Sequence, residues 1–194
     1  MANEIYVSID VETDGPIPGA YSMLSFGAAA FDVEADSPRD PLGTFSANLE
    51  QLEGAASSST TMTWWASQPS AWAACRREPQ APEEVMPEFV NWFRQLPTTP
   101  VLVGHPVTFD FMFVYWYIVR FGGLGDGEPA PCGFQGLDIK TLAWTQLGGG
   151  FKDAGKSKMP NRWFEGSPEH THEALTDAIA QGVLFVNMIK ERAA

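Results

Sequence analysis

Ile5-Tyr6-Val7-Ser8-Ile9-Asp10-Val11-Glu12-Thr13 is the stretch that decides how this chain is read. Residues 4–10 alternate and are rich in β-formers, which predicts a strand. Positions two apart on a strand share a face, so Asp10 and Glu12 project together from its C-terminal end. They open onto a Gly- and Pro-rich loop over residues 13–19. Carboxylates held this close repel, and a divalent cation between them would relieve the repulsion. A solvated strand end would carry the same residues, and a lone D-x-E does not separate the two readings.

Residues 23–31 and 41–49 read as two further strands. Their short, turn-rich links suit an antiparallel meander. Residues 62–77 read as helix in pieces, because Pro69 interrupts them. Pro82-Glu83-Glu84 starts a helix over 82–96 with Val85, Phe89, Val90 and Phe93 as its apolar residues. Residues 100–104 are short and wholly apolar, as expected of a buried parallel strand. A buried helix over 111–121 follows and ends at Gly122-Gly123. A short strand over 134–137, a helix over 139–147, a mobile loop over 148–168 and a helix over 173–192 complete the chain. Three strands followed by alternating helices and strands predict a mixed α/β sheet with helices on both faces, in one domain over residues 1–194.

A length of 194 residues, 44% of them apolar, suits one domain with a sizeable core. Cys75 and Cys132 make neither a disulfide framework nor a zinc cluster, which points to a reducing compartment. No basic leader precedes a long apolar stretch, and the longest apolar run, 109–119, is broken by Asp110 and too short for a bilayer. The chain therefore reads as a soluble cytoplasmic protein. Its net charge of −12 argues against a module that coats nucleic acid with a basic surface. An enzyme that grips only a strand end through metal ions needs fewer cations. Those present are uneven: Lys152, Lys156, Lys158 and Arg162 fall in residues 151–162 against the single acid Asp153. That segment is either a solvated loop or a phosphate contact.

Two more acids stand at element junctions. Asp110 follows the buried strand and opens the next helix, where Asp serves as an N-cap. A strand-to-helix junction is also where open α/β sheets place ligands. Asp177 lies in the first turns of the last helix, whose expected packing stripe is Leu175, Ile179, Gly182 and Val186. It falls nearly opposite Leu175, so periodicity alone makes it a solvated acid. His172 precedes that helix, and His170 competes for any role given to it.

Three motifs in register resemble the DEDDh (DnaQ-like) 3′→5′ exonuclease superfamily, over nearly the whole chain from Ile5 to about Asn187. Val7-Ser8-Ile9-Asp10-Val11-Glu12-Thr13 resembles the family's apolar-D-x-E-T. The segment ending Phe109-Asp110 resembles its N-x3-F-D, with His105 where Asn is common. His172-x-Ala174-x2-Asp177-Ala178 is similar to its H-x-A-x2-D-A, and Leu137-Asp138-Ile139-Lys140-Thr141-Leu142 to its fifth strand and the turn after it.

The resemblance implies an RNase H-like fold, with three antiparallel strands and then two parallel ones in a five-stranded sheet. It implies a metal-dependent 3′→5′ exonuclease that releases 5′-nucleoside monophosphates from a single-stranded RNA or DNA 3′ end. It also implies two Mg²⁺ or Mn²⁺ ions, roughly 3.5–4 Å apart, as cofactors. Asp10, Glu12, Asp110 and Asp177 would hold them, Asp10 bridging both, and His172 would be the general base. Thr13, Trp65 and Phe109 are the expected substrate contacts, although core packing competes for Trp64 and Trp65. Relatives that act alone are often dimers, so a homodimer is one expectation. The rival reading is a catalytically inactive nucleic-acid-binding or protein-interaction module on the same fold, in which the motifs are caps and strand ends.

Overall fold

The computed structural model describes residues 4–193, and the alternation along its first strand, β1 (Ile5–Thr13), divides the rest into two layers. Ile5, Val7, Ile9 and Val11 enter one core with residues of α3 (Pro82–Arg94) and α4 (Val107–Phe121). The even positions face the opposite layer: the Tyr6 ring packs 4.8 Å from Phe185 of α6 (Ala174–Ala193). Asp10 and Glu12 are even, so the pleat alone directs both toward α6.

β2 (Met23–Asp32) and β3 (Gly43–Asn48) extend the sheet antiparallel on one side of β1. β4 (Val101–Gly104) and β5 (Gly136–Asp138) extend it parallel on the other, in the order β3-β2-β1-β4-β5. The expected sheet of three antiparallel and two parallel strands is the one found. β2 is buried on both faces, with Phe26, Ala28 and Ala30 in one core and Ala29 and Phe31 in the other. That explains its unbroken apolar run. α1 (Ser59–Ala66) and α2 (Pro69–Cys75) are the two pieces divided before Pro69, and α5 (Ile139–Leu147) shares the second layer with α6. No helix among the described residues is long and apolar enough to cross a membrane.

Two glycines seat α6 on the sheet. Gly27 pairs with Asp10 across β1 and β2, and a Cβ on it would lie 2.5 Å from the Ala174 carbonyl and the Leu175 Cα. A Cβ on Gly182 would lie 2.0 Å from the Phe31 ring. The helix therefore approaches closely enough to lower its side chains onto Asp10.

Four expectations change. α4 begins at Val107, not 111, and Asp110 lies inside its first turn instead of capping it. The Val107 amide donates to Asp138 Oδ2 at 3.2 Å, a partner 31 residues away, so no local capping side chain marks the start. β5 begins at Gly136, where pairing with Leu102 begins, and leaves Phe134 74% exposed. The segment expected to be a mobile loop forms three 3-10 turns, Phe151–Ala154, Lys156–Lys158 and Asn161–Phe164. Ala154, Met159 and Trp163 anchor it in the α6 layer, and Trp163 Nε1 donates to Glu191 at 2.8 Å. Lastly, Asp177 is 1% exposed rather than solvated, because it lies on the face of α6 that meets β1, close to Asp10 and Glu12, and the Thr171 and His172 amides cover it, while Leu175 of the expected packing stripe is only half-buried.

Adding one methyl at Gly27 should force α6 off the sheet. Overpacking of this kind costs about 1–3 kcal/mol. Gly27→Ala is expected to lower the melting temperature by roughly 2–4 °C per kcal/mol lost. An unchanged melting curve would show that the helix is not seated on this glycine.

Candidate active site

Asp10 and Glu12 lie beyond the last residue of β4 that pairs with β1, since Ser8 pairs with Val103 and β4 ends at Gly104. At that edge the sheet has lost a neighbouring strand, and the start of α4 fills the space. Asp110 projects from it, 5% exposed, and its Oδ1 accepts from the Val11 amide at 3.2 Å. This contact between residues 99 apart pins the second motif against the first. Asp177 descends from α6 on the other face. One carboxylate oxygen from each of Asp10, Glu12 and Asp177 lies within 4.8 Å of the others.

Such proximity makes ionisation unfavourable. Burial, reinforced by Asp177, pushes the Asp10 carboxyl up to about 7, against the pull of Lys156 and the Gln181 amide. Burial, with Asp10, Asp177 and Asp110 around it, pushes Glu12 up to about 9. Burial and Asp10 raise Asp110 well above the usual carboxylate range, opposed by the Val11 amide. The donors are all carboxylate oxygens, which suit hard divalent cations such as Mg²⁺ or Mn²⁺. A cation would replace this repulsion by attraction, so the residues present fit a metal centre.

The segment before α6 wraps around Asp177. The Thr171 and His172 amides donate to its two oxygens at 3.0 Å each, and His170 Nδ1 stands 2.7 Å from Oδ2. His172 reaches its position with φ +57, a conformation that residues with side chains rarely adopt, held by the hydrogen bond its backbone amide donates to Asp177. The His172 ring lies edge-on to Trp64 at 5.0 Å and to His170 at 4.2 Å. Burial and then the neighbouring His170 lower its pKa below the ordinary histidine value.

The expected substrate contacts fare differently. Trp65 is 2% exposed, packs with Leu24, Ala71 and Cys75, and donates its indole N–H to the Thr13 carbonyl at 2.9 Å. It is a structural post, and the accessible ring is that of Trp64, 39% exposed beside His172. Thr13 is buried and its hydroxyl donates to the Gly15 carbonyl at 2.9 Å. The Asp14 amide donates to the Ser22 carbonyl, so it too is committed inside the protein. Phe109 is half-buried against Phe113 at 5.2 Å. His105 follows β4 directly, with its Nε2 buried and unpartnered among the described residues, and burial lowers its pKa.

Gln181 and Lys156 were not singled out by any motif. Gln181 donates to Asp10 Oδ1 at 2.6 Å. Lys156, held between the buried Ala154 and Met159, lines a cavity of about 100 Å³ with His170, Asp177 and Gln181. Its charge reaches Asp10 and Asp110. The local excess of cations in the sequence was the one signal that pointed to it.

Comparison with known proteins agrees with this fold. The nuclease domain of 3′hExo, a DEDDh family member bound to rAMP, shares the fold at a TM-score of 0.71 with 13% identity, covering 97% of this chain and 93% of that one. Pop2p of S. pombe, in an Mg²⁺- and Mn²⁺-bound form, shares it at a TM-score of 0.66 with 14% identity, covering 93% and 81%. The 3′–5′ DNA exonuclease Cap18 of Escherichia coli is 31% identical over 187 residues, covering 94% of this chain and 90% of the relative. A family model described as the 3′–5′ exoribonuclease Rv2179c-like domain matches residues 5–189. With its acids converged on one sheet edge and this match along almost its full length, the chain belongs to the Rv2179c-like 3′–5′ exonuclease family.

Proposed function

We propose that this chain, as one exonuclease domain, removes nucleoside 5′-monophosphates one at a time from the 3′ end of a single-stranded nucleic acid. Asp10, Glu12, Asp110 and Asp177 hold two divalent ions, and His172 takes the proton of the attacking water. The observation that carries the reading is the convergence of Asp10, Glu12 and Asp177 oxygens within 4.8 Å, from elements far apart in the chain. Bound there, Mg²⁺ or Mn²⁺ would neutralise charge developing on the phosphate and ease deprotonation of water.

The chain's own groups supply the rest. A general base must be neutral before it acts, and the lowered pKa of His172 keeps its imidazole unprotonated at neutral pH. One specific observation favours His170 instead: its Nδ1 contacts Asp177 Oδ2 at 2.7 Å, an orientation that would leave Nε2 as an acceptor. Lys156 offers a cation to a substrate phosphate beside the acids, and the open face of Trp64 offers a surface on which a terminal base can stack. The family is described by exoribonuclease activity and the E. coli relative by DNA, so both sugars stay in the proposal.

Side-by-side digestion of 3′-ended single-stranded RNA and DNA with Mg²⁺ or Mn²⁺ tests the function. Release of 5′-monophosphates is expected, abolished in Asp10→Ala. In the same assay His172→Ala should lose about 10²–10⁴-fold in rate, the usual worth of a general base, and His170→Ala far less. The opposite ranking would transfer the role to His170.

The acids also set a pH dependence. Asp10 and Glu12 ionise at about 7 and about 9 in the folded chain, against 3.8 and 4.5 ordinarily. The unfolded chain therefore holds fewer protons, and folding is penalised increasingly as pH rises from about 4 toward 9. In EDTA the melting temperature should fall across that window. Mn²⁺ binds the ionised acids, so its stabilising effect should grow with pH. A shift that is independent of pH would remove these carboxylates from the metal site.

Lys156→Gln should weaken binding of a single-stranded oligonucleotide and reduce its salt slope by about 0.7, as for one phosphate contact. The exposed Lys152 and Lys158 should matter less. Equal effects from all three would make the segment a diffuse electrostatic surface.

A further inference from the structure

The orientation of Asp10 has few sources. Its partner on β2 is Gly27, which has no side chain, and β4 has stopped pairing with β1 by this point. Gln181 fills the gap from above. It lies one turn beyond Asp177 on α6, is 3% exposed, and its Nε2 donates to Asp10 Oδ1 at 2.6 Å. The amide cannot be reversed while Asp10 is ionised, because Oε1 would then oppose a carboxylate oxygen at the same distance. In this orientation Oε1 is buried without a hydrogen-bond partner among the described residues. An apolar residue of the same shape would avoid that unfavourable burial. The glutamine is thus poorly explained as packing and well explained by what its NH₂ group does.

We propose that Gln181 is a positioning residue for Asp10. It holds Oδ1 and so fixes the rotamer that presents Oδ2 to a divalent cation. Gln181 and Asp177 lie on one face of one helix, so seating α6 delivers an acid and the holder of a second acid in a single movement. The inference rests on the reading that these carboxylates bind divalent ions. Partners that orient a metal-binding carboxylate typically contribute 10–100-fold to metal affinity.

Mn²⁺ binding to the purified chain, followed by the electron paramagnetic resonance of free Mn²⁺, tests this without reference to turnover. Gln181→Leu keeps the volume and removes the hydrogen bond. Gln181→Met, unbranched and of similar reach, serves where leucine disturbs packing. In both variants Mn²⁺ affinity should fall about 10–100-fold, and the Mn²⁺ concentration for half-maximal exonuclease rate should rise in step. The melting temperature in EDTA should stay close to that of the wild type, since loss of the donor to Asp10 is offset by loss of the unpartnered Oε1. Wild-type affinity in both variants overturns the inference. So does a loss of affinity that merely follows a lowered melting temperature in EDTA, which is the mark of general loosening. A wild-type chain that binds no Mn²⁺ fails at an earlier point and overturns the metal-site reading itself.

Discussion

Repulsion among Asp10, Glu12, Asp110 and Asp177 is the strain around which this molecule is arranged. Four carboxylates brought to one partly buried edge resist ionisation, and the raised pKa values of Asp10 and Glu12 express that resistance. The fold opposes it with backbone amides and close packing. Val11 donates to Asp110, Thr171 and His172 donate to Asp177, and the Gln181 side chain donates to Asp10. Gly27 and Gly182 let α6 come near enough for these contacts to exist. Stability given up at such an edge is what a site for a doubly charged cation requires, because the cation then gains what the protein alone forgoes.

The same balance accounts for an acidic protein that acts on nucleic acid. A net charge of −12 disfavours long-range attraction to a phosphate backbone. Under the proposed function, recognition is left to the strand end, where divalent cations held by the acid cluster would reverse the local sign. Lys156 adds a fixed positive charge at the rim, and its position depends on Ala154 and Met159 being buried on either side of it. A segment rich in Gly, Lys and Pro looks mobile by composition, yet a few apolar side chains are enough to dock it.

Much of the site was legible because strand periodicity is local. The alternation in Ile5–Thr13 placed Asp10 and Glu12 on one face before any tertiary contact was known. The apolar character of residues 100–104 marked a parallel strand, and the three motifs in order pointed to one superfamily. Helix periodicity failed for Asp177 because the wheel took the apolar Leu175 for the packed face. In the structure Ala174, Asp177, Ala178 and Gln181 are buried and Leu175 is half-buried, so polar side chains share the face that meets β1. A cap was the competing local reading of Asp110, and the structure gives that role to Asp138, on another strand, whose side chain accepts from the first helical amide.

The sequence by itself determined the order of strands and helices and the face on which Asp10 and Glu12 stand, which follow from dihedral preference and side-chain period acting over a few residues. Asp110 and Asp177 were singled out only by the resemblance of their motifs to a known superfamily. Only the tertiary structure decided that Trp65 is a buried post and Trp64 the open ring, that His170 contacts Asp177, and that Gln181 holds Asp10. Each of those depends on how closely two elements distant in the chain approach, and a glycine that permits that approach carries no mark of it in a linear pattern.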